Sequence, residues 1–128
     1  MKNLLFLLLF TGFAAGCSEK PAGNQLAPEA YAAQMQKEAG VLLDVRTVEE
    51  YSEGHLEGAA QLDYYETESF ESALDTMDKS KTYYIYCRSG GRSGTVLTMM
   101  QQKGFKSVYN LDGGILAWRK ADMPVVMP

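Results

Sequence analysis

The stretch TYYIYCRSGGRSGTVLTMMQQKG, residues 82–104, decides the fold. Thr82 to Tyr86 is almost entirely β-formers and reads as a buried strand. Glycines, serines and arginines follow from Cys87 to Arg92, and Val96, Leu97 and Met100 then recur at helical spacing until Gly104. A strand that passes through a short glycine loop into a helix is the repeating unit of a parallel α/β sheet. Ligands of such sheets sit beyond the carboxyl ends of the strands, where Cys87 stands.

The pattern extends in both directions. Upstream, Pro28 opens a helix that carries Tyr31 and Met35 and is ended by Gly40, and VLLDV, residues 41–45, is a short apolar run suited to a buried strand. Thr47 caps the short helix TVEEYSEG, with Glu50 at the capping-box position. AAQLD, residues 59–63, reads as a strand, and Phe70, Leu74 and Met77 mark another helix. Downstream, SVYNL, residues 107–111, is a strand and GGILAWRKA, residues 113–121, a last short helix. Alternating strands and helices with short linkers predict an α/β domain, its sheet covered by helices on both faces.

The N-terminus has a different character. Lys2, the apolar run Leu4 to Phe10 and the small residues Ala14 to Gly16 make residues 1–16 an export signal. The apolar stretch ends at Cys17, short of the about 20 residues that a membrane-spanning helix needs. TGFAAGC, residues 11–17, resembles a bacterial lipobox, with Ala14 where leucine is usual. That resemblance implies cleavage before Cys17, lipidation of its thiol and stable attachment to a bacterial membrane on the periplasmic side. Ser18, in place of Asp, resembles outer-membrane sorting. The alternative is an ordinary signal peptide with Cys17 an incidental neighbour. Residues 17–24 then form a polar tether, and the domain occupies 25–128.

An exported chain with two cysteines invites a disulfide. Lipid on Cys17 forbids it and leaves Cys87 as the thiol of the mature protein; the plainer reading of Cys87 is a small buried hydrophobe. A formal charge of -4 argues against nucleic acid as a partner. From Glu49 to Asp78 there is no Lys or Arg, so Arg88 and Arg92 form a local positive spot. One His and one free Cys cannot build a four-ligand metal site. A nucleotide-binding P-loop fails as well, because GGRSG lacks the Lys-Ser/Thr that must follow its last glycine.

The loop has the composition of an anion cradle. With the next helix starting near Ser93, its first amides have no internal partners and the macrodipole places positive charge there. Gly90 and Gly91 can take the positive φ values that turn successive amides inward. Such a setting lowers a thiol pKa from about 8.5 to about 3.5–7.5, and the thiolate is the attacking species. Arg88 and Arg92 offer fork-shaped donors to an oxyanion, or pair with an acid such as Asp44, or point to solvent.

LLDVRTVEEYSEGHLEGA, YCRSGGRSGTVLTMMQQKGF and VYNLDGGILAWRKADMPV together resemble a single-domain rhodanese, a sulfurtransferase, over nearly all of residues 25–126. The resemblance implies a mostly parallel five-stranded sheet with helices on both faces. It makes Cys87 the nucleophile, and Arg88, Ser89, Gly90, Gly91, Arg92 and Ser93 the binders of the sulfur group. Asp44, Arg46 and His55 match supporting elements, His55 being open to a structural or a catalytic role. Trp118, Gly113 and Gly114 match packing and turn positions. The expected reaction moves sulfane sulfur from thiosulfate, polysulfide or a persulfide to a thiol, to cyanide or to a protein acceptor, with no cofactor. Related phosphatases and arsenate reductases place five residues between Cys and Arg, whereas here there are four. A non-catalytic sulfide- or anion-binding module is the rival from another class.

Overall fold

The computed structural model describes residues 23–128. The export signal and Cys17 lie outside the described residues, as does most of the tether. Ten elements follow in order: β1 (Gln25–Leu26), α1 (Pro28–Lys37), β2 (Val41–Asp44), α2 (Val48–Ser52), β3 (Ala60–Gln61), α3 (Thr67–Thr76), β4 (Thr82–Tyr86), α4 (Gly91–Gln102), β5 (Ser107–Leu111) and α5 (Gly114–Lys120). The strands form one five-stranded sheet in the order β1-β5-β4-β2-β3, and every pairing is parallel.

The period-two alternation of the strands divides the interior into two layers. Tyr83, Ile85 and Cys87 face one side with Leu43 and Val45, where Phe70 and Leu74 of α3 and Val96, Leu97 and Met100 of α4 cover them. Tyr84 and Tyr86 face the other side with Tyr31 of α1 and Ile115 and Trp118 of α5. Helices therefore lie on both faces, as expected.

The five strands are those the resemblance implied; the fifth, which the run of residues does not place, is the edge strand β1, where Gln25 and Leu26 pair with Asn110 and Leu111 of β5. Two details depart from the sequence reading. Asn24, the last residue assigned to the tether, already belongs to this edge, since its side chain donates to the Val108 carbonyl at 2.6 Å. Helix α4 begins at Gly91, not near Ser93. The physical reason is that Gly90 alone makes the left-handed turn, with φ +103°, so Gly91 enters the helix directly and needs no positive φ.

Candidate active site

Strand β4 ends at Tyr86, and the alternation carries the Cys87 side chain toward α4. The thiol is 1% exposed. Two donors converge on its sulfur: the Gly90 amide at 3.1 Å and the Ser93 hydroxyl at 3.3 Å. Burial pushes the Cys87 thiol up. The Ser93 hydroxyl and the amides of Ser93, Gly90 and Ser89 outweigh it together, and the pKa falls below the ordinary value. Hydrogen bonds to the charged form favour that form, so the loop favours the thiolate.

The back of the loop is set by α5. Its first amides, those of Ile115 and Leu116, donate to the carbonyls of Cys87 at 2.9 Å and Arg88 at 3.1 Å. This approach requires Gly114, whose φ is +60°; a Cβ there would collide with the Arg88 carbonyl and come within 2.7 Å of the Cys87 carbonyl oxygen. The glycine pair at 113–114, read in the sequence as a packing and turn element, is thus the brace of the loop.

The charged residues sort into separate networks. Arg46 binds both carboxylate oxygens of Asp44 and donates to the Gly54 carbonyl at 2.8 Å. Tyr86 donates to Asp44 at 2.6 Å and accepts from the Leu56 amide, tying β2 to β4 beneath the loop. Arg92 is held by Glu50 through two parallel hydrogen bonds of 2.8 and 2.9 Å, and its guanidinium lies over the Tyr65 ring. The Glu50 hydrogen bond is the main cause of the raised Arg92 pKa, with the Cys87 charge a smaller one. Arg88 is exposed and makes no side-chain hydrogen bond or ion pair among the described residues.

His55 is placed apart from these networks. Its ring stacks on Tyr51 at 3.7 Å, and its backbone pairs with Val126 of the C-terminal segment through two 2.9 Å hydrogen bonds. Those contacts anchor the chain end against α2. Among the described residues no three His, Cys, Asp or Glu side chains gather to hold a metal ion.

Sequence reasoning missed Glu50, Tyr65 and Tyr86. Glu50 was read as a capping-box residue, and it does sit at that position: its amide donates to the Thr47 hydroxyl at 3.2 Å. Its carboxylate, however, serves Arg92, 42 positions later in the chain. No local spacing announces a partner so distant.

A family model for the rhodanese-like domain matches residues 27–121 of the chain. The chain belongs to the rhodanese-like family. A protein named sulfurtransferase from Allochromatium vinosum is 33% identical to this rhodanese-like chain over 106 residues, which cover 82% of the chain and 96% of that protein. A protein named tRNA uridine(34) hydroxylase from Chlamydia trachomatis is 34% identical over 112 residues; the match takes in 82% of the chain but only 34% of that longer protein. Among solved structures, a rhodanese-related protein from Thermoplasma volcanium superposes with a TM-score of 0.71 at 22% identity, covering 82% of the chain and 99% of that protein. This last likeness establishes the rhodanese-like fold.

Proposed function

We propose that the protein is a sulfurtransferase that carries sulfane sulfur as a persulfide on Cys87. The observation that carries this reading is the pair of donors, Gly90 amide and Ser93 hydroxyl, converging on a buried sulfur whose pKa they help to lower. Family membership and a relative named sulfurtransferase support it.

In the first step the Cys87 thiolate attacks the outer sulfur of a donor such as thiosulfate. The sulfur–sulfur bond of the donor breaks, sulfite leaves with the bonding pair, and Cys87 holds a persulfide anion. In the second step cyanide or a thiol attacks the terminal sulfur, and Cys87 departs as thiolate, ready for another cycle. The donors around the sulfur are already oriented, so the negative charge passed between the two sulfurs meets fixed dipoles and little reorganisation is needed. A general base has no part in this cycle, which leaves His55 a structural role.

Arg92 argues against the phosphatase alternative. Its Nη1 and Nη2 atoms are engaged by the Glu50 carboxylate, which already neutralises the charge that a phosphoryl group would draw on. A second reading, a rhodanese-like module without turnover of its own, is favoured by the hydroxylase-named relatives, in which the match is one part of a longer protein. Intact mass separates the two. On incubation with thiosulfate the wild-type domain gains about 32 Da, one sulfur, and loses it on addition of cyanide, while Cys87→Ser gains nothing. A folded wild type with a titratable thiol that gains no mass from thiosulfate or polysulfide supports the non-catalytic module.

The same proposal includes export and a lipid anchor on Cys17 that holds the domain at a bacterial membrane on the periplasmic side. Its support is the lipobox-like sequence at residues 11–17. Labelling with a fatty-acid analogue tests it: the wild type takes up label and Cys17→Ser does not.

A further inference from the structure

A cavity of about 350 Å³ lies beside the active loop, between α2, α5 and Arg88. Its charged lining comprises Arg46, Arg88 and Arg119 against Glu50 and Glu53. Arg46 is neutralised by Asp44, and Glu50 by Arg92. What remains is Arg88 and Arg119 facing one carboxylate, a surplus of positive charge in a chain of net charge -4.

The Arg119 side chain is exposed, and its guanidinium has a defined neighbour. It lies against Gly54, where an added Cβ would come within 2.7 Å of its Nη2 atom. Among the described residues its one polar contact is a long hydrogen bond of 3.5 Å to the Glu53 carbonyl. An arginine has five N–H donors, so most of this fork is left over, and Arg119 lines the same space as Arg88. Arg88 follows the nucleophile directly in the chain, and its carbonyl is bound by the amide of Leu116, another wall of the cavity. The space therefore begins at the active loop and ends at a second cation one helix away. At the lower end of the size of small-molecule sites, it exceeds the needs of thiosulfate.

We propose that this cavity is a subsite for the carboxylate of a thiol substrate, with Arg119 and Arg88 as the carboxylate-binding residues. The acceptor class is then a small thiol bearing a carboxylate a few bonds from its sulfur. Its sulfur attacks the terminal sulfur of the Cys87 persulfide while the carboxylate is held in the arginine forks; the acceptor leaves as a persulfide and Cys87 as thiolate. The proposal rests on the sulfur-transfer reading for its chemistry, but the subsite itself does not depend on it.

The test is built to separate the two. Cys87 is alkylated with N-iodoacetylglycine and, in parallel, with the neutral N-iodoacetylglycinamide, and the ratio of the two rates is compared with the same ratio for a free small thiol. The wild type is expected to favour the carboxylate reagent relative to the free thiol. Arg119→Ala lowers the ratio about three- to tenfold, the weight of one charged hydrogen-bond pair at a partly exposed site, and Arg119→Lys restores part of it. An equal ratio in wild type, Arg119→Ala and Arg119→Lys overturns the subsite. In turnover, the KM for N-acetylcysteine rises in Arg119→Ala more than that for N-acetylcysteinamide; equal rises would assign Arg119 a structural role and overturn the proposal. Should the wild type show the alkylation preference yet take no sulfur from thiosulfate or polysulfide, the sulfur-transfer reading falls and the subsite stands.

Discussion

At Cys87 burial and hydrogen bonding oppose each other, and Ser93 supplies the largest share of the hydrogen bonding. Ser93→Ala is expected to move the thiol's titration midpoint upward and to slow alkylation at neutral pH about several-fold, read from iodoacetamide rates across pH. An unmoved midpoint would leave the loop amides as the whole cause. Because the folded thiol titrates below its ordinary unfolded value, the loop's preference for the thiolate stabilises the fold above that unfolded value. That contribution is lost as pH falls through the folded pKa. Tyr86 is a second decisive residue: burial first, then the neighbouring Asp44, pushes its hydroxyl far above the ordinary range, so it stays a donor. Tyr86→Phe strips the Leu56 amide of its acceptor and Asp44 of a donor, a loss of about 1–3 kcal/mol expected in urea denaturation. The composition of the loop made Ser93 legible. Tyr86 was hidden in a run of β-forming aromatics whose hydroxyl partners lie on other strands.

Between elements, Glu50 of α2 and Arg92 of α4 clasp the two sides of the sheet's carboxyl end. The Arg92 hydrogen bond is the leading cause of the lowered Glu50 pKa. The pair's contribution is therefore present above the unfolded carboxylate value of about 4.3 and lost as pH falls through the lower folded one. Glu50→Gln is expected to cost about 0.2–1 kcal/mol at neutral pH, the range of a partly exposed pair, with the difference from wild type closing as pH falls through the lowered Glu50 titration. A gap that persists in acid would mean that the glutamate acts by packing. At the other brace, Gly114→Ala forces a side chain into the Cys87 and Arg88 carbonyls at a left-handed position. A loss of about 1–3 kcal/mol and slower persulfide formation are expected, measured by thermal melting and by mass. The helices themselves were legible from periodicity and caps. Their mutual clasps were not, because an ion pair between elements leaves no periodic trace in the chain.

Over the whole molecule, two apolar layers share one sheet, so the domain is expected to unfold in a single transition. Removing residues 1–22 is expected to leave that transition in place, whereas removal through Leu26 deletes β1, uncovers the β5 edge and lowers the melting temperature. Equal melting temperatures for the two truncations would show that β1 adds nothing. Alternating hydrophobic runs, capping residues and a glycine loop behind a strand were enough by themselves to determine the α/β class, four of the five strands, the helices and the place of the nucleophile. These are local properties, written in neighbouring residues. Only the tertiary structure decided that Gln25 and Leu26 form an edge strand, that Glu50 takes up Arg92, that Gly114 braces the loop, and that Arg88 and Arg119 face one cavity. Each of these depends on which segments the sheet order β1-β5-β4-β2-β3 brings side by side, and contacts across that order join residues far apart in the chain.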